Sequence, residues 1–265
     1  MPTSPPVALT IAGSDCSAGA GIQADLKAFS AHRVFGLTAV TCVVAEVPGK
    51  VGSISPVPPE VLGEQLQLLG SAFPIAAIKT GMLYSSEHVN VIIEWLQGLE
   101  QRPPIVIDPV MVATSGDPLL KDAAVDVYTE GLLPMAAVIT PNLDEAAQLT
   151  GAQINSLDDL RRAAIDLAQN FATSVLAKGG HLQGETATDI LANPDGTTRE
   201  FEAPWVAGVN THGTGCTYSA AIAAELAGGH DLGDAVASAK RFVSAAIRDY
   251  FRWQGTDALN HFQQP

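Results

Sequence analysis

The chain has 265 residues, 47% of them hydrophobic, with 28 acidic against 14 basic side chains and a formal net charge of -14. That length suits one large α/β domain or two small ones, with a substantial core. The acidic balance argues against nucleic acid or an anionic membrane surface as partner, because both reward clustered Lys and Arg. Its three cysteines, Cys16, Cys42 and Cys216, form no CxxC pair, which suggests neither a disulfide framework nor a zinc site and fits a reducing cytoplasm.

The N-terminal "MPTSPP" has no basic segment ahead of an apolar stretch, and no run approaches the roughly 18 uncharged apolar residues of a membrane span, so a soluble cytoplasmic protein is expected. Short apolar or β-branched runs at 7–13, 38–45, 77–81, 105–110, 137–141 and 174–180 read as strands buried on both faces. Helical patterns lie between and after them, at 20–32, 58–71, 86–98, 157–170, 214–227 and 232–251. Alternation of this kind implies right-handed crossovers and a mostly parallel sheet with helices on both faces. At 187–204 a "PDG" turn joins two β-like runs, which predicts an antiparallel hairpin at one edge. No repeat, low-complexity block or long linker divides the chain, so a single domain over 1–265 is expected.

Ligands of such sheets bind beyond the carboxyl ends of the strands. Four of the predicted strands end in polar or glycine-bearing sequence: "GSDCSAGAGIQAD", "DPVM", "TPNLDEA" and "KGGH". In "TPNLDEA", Asn142 with Glu145 three residues on resembles a capping pair that opens a helix. Alternatively Glu145, with Asp108 of "IDPV", orders the water around a magnesium ion, which takes few carboxylates and keeps much of its water shell. Lys178 ends an apolar strand, so its charge must reach solvent or a partner such as a polyphosphate.

The segment "NTHGTGC" (210–216) leads into an alanine-rich helix. Its glycines let a ligand approach the backbone closely, and the free N–H groups of a helix start bind phosphate and favour a thiolate over a thiol at Cys216. The competing reading is a small buried cysteine filling a tight turn. Glycine-rich helix start, lysine, two carboxylates and a candidate base together make a phosphoryl-transfer inventory. With no GxxxxGK[ST] loop and no kinase-type GxGxxG, neither of the commonest nucleotide-binding designs applies. A rival exists at 19–24, where "GAGIQA" matches GxGxxA, with Glu46 standing where a ribose-binding acid of an NAD-dependent oxidoreductase would lie. It places the glycines too far from the strand end and leaves "NTHGTGC" and "NLDEA" without a task. A non-catalytic binding protein is a further alternative.

Taken as a whole, the chain resembles the hydroxymethylpyrimidine/phosphomethylpyrimidine kinase family of thiamine biosynthesis, within the ribokinase-like superfamily. The segments that carry the resemblance are "LTIAGSDCSAGAGIQADLKAFS", "IKTGMLYS", "VIDPVMVATSGDPLL", "ITPNLDEAAQLTG", "VLAKGGH" and "NTHGTGCTYSAA". It implies ATP- and Mg2+-dependent phosphorylation of 4-amino-5-hydroxymethyl-2-methylpyrimidine and then of its monophosphate. Related members phosphorylate pyridoxal or pyridoxine. The resemblance implies that Gly213, Thr214, Gly215 and Cys216 form an anion hole, with Cys216 where the wider superfamily places an aspartate base. Asn142, Lys178 and Thr211 would contact ATP phosphates, Lys240 would lie near the nucleotide, and Asp108 and Glu145 would support the metal. Gly13, Ala20, Asp25, Val44, Glu46, Met82 and Val110 correspond to positions of the substrate pocket. Where the family reads "VVAQN" this chain has "VVAEV", so Glu46 replaces a glutamine that reads the pyrimidine edge. A homodimer is implied as well.

Overall fold

Strand β1 (Val7–Asp15) is buried along almost its whole length, as a strand covered on both faces must be. The structure, a computed structural model, describes residues 4–110, 126–180, 182, 185–209 and 212–263. After β1 come α1 (Gly21–Ala31), β2 (Phe35–Val47), β3 (Lys50–Pro56), α2 (Pro59–Ala72), β4 (Ile75–Thr80), α3 (Ser86–Gln97) and β5 (Ile105–Ile107). A wide helical turn at Val127–Leu132 precedes β6 (Val138–Ile139), α4 (Leu143–Thr150), α5 (Leu157–Phe171) and β7 (Ser174–Lys178). Next are β8 (Thr186–Ala192), β9 (Thr198–Pro204), α6 (Thr214–Ala227), α7 (Leu232–Arg248) and a small hairpin of β10 (Phe251–Trp253) and β11 (Thr256–Ala258).

Nine strands form one sheet in the order β3-β2-β1-β4-β5-β6-β7-β8-β9. The six from β2 to β7 run parallel, in agreement with the sequence-based expectation. The predicted hairpin is β8–β9, which adds antiparallel strands beside β7. The opposite edge is antiparallel too, because β2 turns at Gly49 (φ +79°) into β3. Side chains alternate across the sheet. Val7, Leu9 and Ile11 face a core shared with α2, α3, α4 and α5, while Ala8 faces one shared with α1, α6 and α7. Each fully buried leucine or isoleucine, such as Leu9, Leu62 or Ile92, is worth about 1.5–3 kcal/mol over its exposed state. Helix α6 is buried on nearly all sides from Thr217 to Ala224, which explains its small residues: a larger side chain would hold it away from α1 and the sheet.

Three predicted elements fall three residues short of expectation. Strand β5 stops at Ile107 instead of 110, because Pro109 has no N–H for a ladder and the chain turns out after Asp108. Strand β6 is only Val138–Ile139, and α7 ends at Arg248, three residues early, where the chain enters the β10 hairpin. Among the described residues no helix is long and apolar enough to cross a membrane.

Candidate active site

The carboxyl ends of β1, β2, β4, β5 and β7 and the start of α6 border one cleft of about 710 Å3. Of the residues singled out from the sequence, Gly13, Ala20, Val44, Glu46, Met82, Asp108, Val110, Asn142, Glu145, Lys178, Lys240 and Gly213 to Cys216 all line it. Thr211 lies outside the described residues.

The floor is a charge network. Lys178, the last residue of β7, donates from Nζ to Asp108 Oδ1 at 2.8 Å, and Thr140 Oγ1 donates to the same oxygen at 3.1 Å. Burial works against ionising Asp108, but Lys178 and Lys79 outweigh it and hold the carboxyl below its usual range. Burial also opposes the charge of Lys178, and Asp108 and Glu145 restore it. Asn142 and Glu145 form the predicted capping box at the start of α4: Asn142 Oδ1 accepts from the Glu145 amide at 2.9 Å, and Glu145 Oε2 accepts from the Asn142 amide at 2.7 Å. Burial nevertheless pushes the Glu145 carboxyl up to about 7, with Lys178 opposing and Asp108 adding to the rise.

Helix α6 starts without a side-chain cap, whereas α4, α5 and α7 are capped by Asn142, Ser156 and Asp231. Its N-cap Gly213 sits at φ +80°, a conformation open to glycine, and a Cβ there would lie 1.8 Å from the Gly19 carbonyl oxygen. A Cβ on Gly215 would stand 3.3 Å from Lys178 Nζ and 3.4 Å from Asp108 Oδ2. The uncapped amides therefore come down directly onto the charged floor. Cys216 lies in the first turn, but burial, the largest influence, pushes its thiol up to about 11. Lys79 and a hydrogen bond from the Gly21 backbone pull the other way without prevailing. The sequence-based expectation of a ready thiolate is thus corrected: burial, with the nearby Asp25 and Asp108 carboxylates, favours the thiol.

Asp25 does not line the cleft. It is fully buried beneath it, accepting from Lys79 Nζ at 2.9 Å at both carboxylate oxygens and from Thr10 Oγ1 at 2.5 Å. Lys79 was not among the sequence candidates, although a lysine inside the apolar run "AAIKT" is a legible signal, since a buried ammonium needs a paired anion.

At one end of the cleft Gly13, Val44 and Met82 form an apolar wall, with Glu46 half-buried beside them. Here Asp15, Glu46 and His212 bring ligand-type atoms within 4.8 Å of one another. Asp15 Oδ2 already accepts from Ser17 Oγ at 2.9 Å, from the amides of Gly19 and Ala20 at 3.1 and 2.8 Å, and lies 3.2 Å from His212 Nε2. Burial opposes its charge, yet these bonds hold its carboxyl at about 2. So saturated a carboxylate has little left to offer a cation, and the cluster is a hydrogen-bonded Asp15–His212 pair with Glu46 beside it. At the other end Lys240 donates to Asp189 Oδ2 at 2.6 Å, beside Trp205, Val206, Val243 and Ile247.

Residues 15–259 match the family described as phosphomethylpyrimidine kinase. The chain belongs to this family. It is 43% identical to a hydroxymethylpyrimidine/phosphomethylpyrimidine kinase of Rhizobium meliloti, over 97% of both chains. It is 44% identical to the thiamine biosynthesis bifunctional protein ThiED of Geobacter sulfurreducens, where the match covers 91% of this chain and 49% of that longer protein. Its fold is similar to that of Bacillus subtilis pyridoxal kinase, solved as an ADP complex, with a TM-score of 0.89 at 37% identity over 97% and 98% of the two chains. Membership in the phosphomethylpyrimidine kinase family overturns the oxidoreductase alternative. The GxGxxA glycines have another task here: Gly19 meets Gly213, and Gly21 packs against the Gly13 carbonyl.

Proposed function

We propose that this chain transfers phosphate from ATP to the hydroxymethyl group of 4-amino-5-hydroxymethyl-2-methylpyrimidine and then to the resulting monophosphate, in thiamine biosynthesis. The observation that carries the reading is the position of the uncapped α6 start, between the Asp108–Lys178 floor and the wall of Gly13, Val44 and Met82. The heterocycle would lie against that wall with its edge toward Glu46. Its hydroxymethyl would then face Cys216, whose thiolate form would take the hydroxyl proton. The amides of Gly213 to Cys216 would hold the transferring phosphoryl group, which needs positioning and charge stabilisation more than covalent help. Asn142, Lys178 and Thr211 would bind the phosphates of ATP, with Lys240 near the nucleotide.

Asp108 and Glu145 would support Mg2+ through its water shell. The fit rests on Glu145, a buried carboxyl whose ionisation is opposed by its surroundings and would be relieved by a nearby cation. Magnesium bound there would neutralise charge on the phosphates. We also infer a homodimer in the cytoplasm. Phe35, Val43 and Val47 on β2 and Phe73 after α2 expose apolar surface, which a second copy would cover.

A second reading, a kinase of pyridoxal or pyridoxine, is favoured by the fold likeness to a pyridoxal kinase. The deciding experiment assays ADP release with the aminopyrimidine, its monophosphate, pyridoxine and pyridoxal as acceptors. Turnover of the two pyrimidines is expected. Exclusive use of the pyridine vitamers would replace the main reading, and turnover of none of the four would reject both.

A further inference from the structure

The heterocycle end of the cleft holds a titratable triad that phosphoryl transfer itself does not require. His212 comes from the loop before α6, Asp15 from the end of β1 and Glu46 from near the end of β2, with ligand-type atoms within 4.8 Å of one another. The His212 side chain is only 7% exposed, and it packs so closely on Gly19 that a Cβ there would lie 2.8 Å from its Cδ2. Asp15 fixes Nε2 at 3.2 Å and is itself fixed by Ser17, Gly19 and Ala20. The imidazole is thus held in place on Asp15, with the Glu46 carboxyl within 4.8 Å.

Other titratable groups face this triad. Lys27 of α1 donates from Nζ to the Ala18 carbonyl at 2.6 Å and interacts with Asp15. The Cys16 thiol donates to the Glu46 carbonyl at 3.2 Å, and Cys42 lies buried on β2 within the influence of Glu46. The hydrogen bond to Asp15 raises the ionisation of His212 above that of an ordinary imidazole. Burial and Asp15 push the Glu46 carboxyl up, and His212 draws it back toward the charged form. Without His212, two carboxyl groups would face each other at short range, and like charges so placed retain a proton.

We propose that His212 is a positioning residue for substrate choice: clamped on Asp15, it holds Glu46 in the acceptor-only form, so that the cleft selects a heterocycle whose facing edge offers two N–H donors. A ring-protonated 4-aminopyrimidine presents such an edge. The proposal rests on Glu46 meeting the ring, as under the proposed function. A neutral aminopyrimidine offers one donor and one acceptor, which matches a protonated carboxyl instead. In both pairings the complex holds one shared proton, and His212 decides whether the free protein already carries it.

The test is calorimetric binding of 4-amino-5-hydroxymethyl-2-methylpyrimidine without ATP, between about pH 5 and 9, in two buffers of different ionisation heat. Wild-type protein should take up a proton on binding in the neutral range. In His212→Gln that uptake should fall, and the alkaline limb of the affinity profile should move up by about one unit, a tenfold change at fixed alkaline pH. In Glu46→Gln the uptake should be lost, and adding His212→Gln to it should move nothing. Unchanged uptake in His212→Gln, or an equal shift in the Glu46→Gln background, would overturn the proposal. Failure of wild type to bind the pyrimidine at any pH would instead reject the substrate reading beneath it. Should His212→Gln not fold, NMR titration of the wild-type imidazole decides: ionisation above the ordinary value of 6.5 supports the clamp, and ionisation at or below it refutes it.

Discussion

Asp108 and Lys178 meet at 2.8 Å across an intervening strand, one just after β5 and the other at the end of β7. Thr140, which follows β6 between them, donates to the same Asp108 oxygen. Three adjacent strand ends therefore converge on one carboxylate. The lysine that would bind phosphate is also what makes that buried carboxylate tolerable.

Lys178→Ala should accordingly do more than weaken ATP use, as a simple phosphate contact would. Leaving Asp108 buried and unpaired costs about 3–5 kcal/mol of stability, alongside a loss of about a hundredfold or more in kcat/KM for ATP, some 2.7 kcal/mol of transition-state binding. The double variant Lys178→Met with Asp108→Asn should recover the thermal midpoint but not the activity. Recovery of both would show the pair to be structural only.

Cys216→Ala is expected to lower kcat by about two to four orders of magnitude while the protein still binds its heterocycle, as loss of a general base does. Because burial pushes the thiol up to about 11, kcat/KM in wild type should climb as pH rises above about 8. Cys216→Asp should keep part of the activity and lose that climb. Iodoacetamide labelling of Cys216, followed by peptide mass spectrometry, should show the same alkaline dependence. Rapid labelling of Cys216 at neutral pH would contradict it.

For Glu145 the sign of the pH effect is fixed by its folded value of about 7 against an ordinary 4.5. The folded state holds this proton more tightly than the unfolded state, so the favourable contribution is complete below about 4.5 and is lost as pH rises through 7. Glu145→Gln keeps the capping box, since glutamine can accept from the same amide. Without added metal it should raise the melting temperature relative to wild type at pH 8 and leave it nearly unchanged at pH 4. In the assay it should raise the Mg2+ concentration for half-maximal rate. An unaltered magnesium requirement would leave Glu145 as a helix cap.

Glu46→Gln should shift kcat/KM toward the neutral aminopyrimidine by about tenfold, or 1.4 kcal/mol, because an amide both donates and accepts at that edge. An identical substrate ranking and pH profile in the variant would mean that Glu46 does not read the ring.

The parallel core was legible because β-branched runs alternate with 3.6-period patterns, and α6 matches its predicted bounds of 214–227. Strand β3 was not, because "KVGSISP" carries a glycine, two serines and a proline and is a strand only by pairing with β2. Motif placement located most of the cleft lining. What it could not supply was each group's surroundings. The state of Cys216 depends on Lys79, Asp25 and Gly21, contributed by β4 and α1, and the fixed orientation of His212 depends on Asp15 at a separation of 197 residues. Asp25 shows the converse, since its place in a glycine-rich motif did not reveal that its carboxylate turns inward to Lys79.

The contact of Gly213 with Gly19 joins the loop that follows β1 to the loop that opens α6, with no space for even one methyl group between them. The proposed seats of heterocycle and phosphate would thus share one block of backbone, and neither loop can drift while the other stays. Anyone recoding this enzyme for a new acceptor should randomise residues 19–21 together with 212–213, because a side chain added in either loop alone would run into the other.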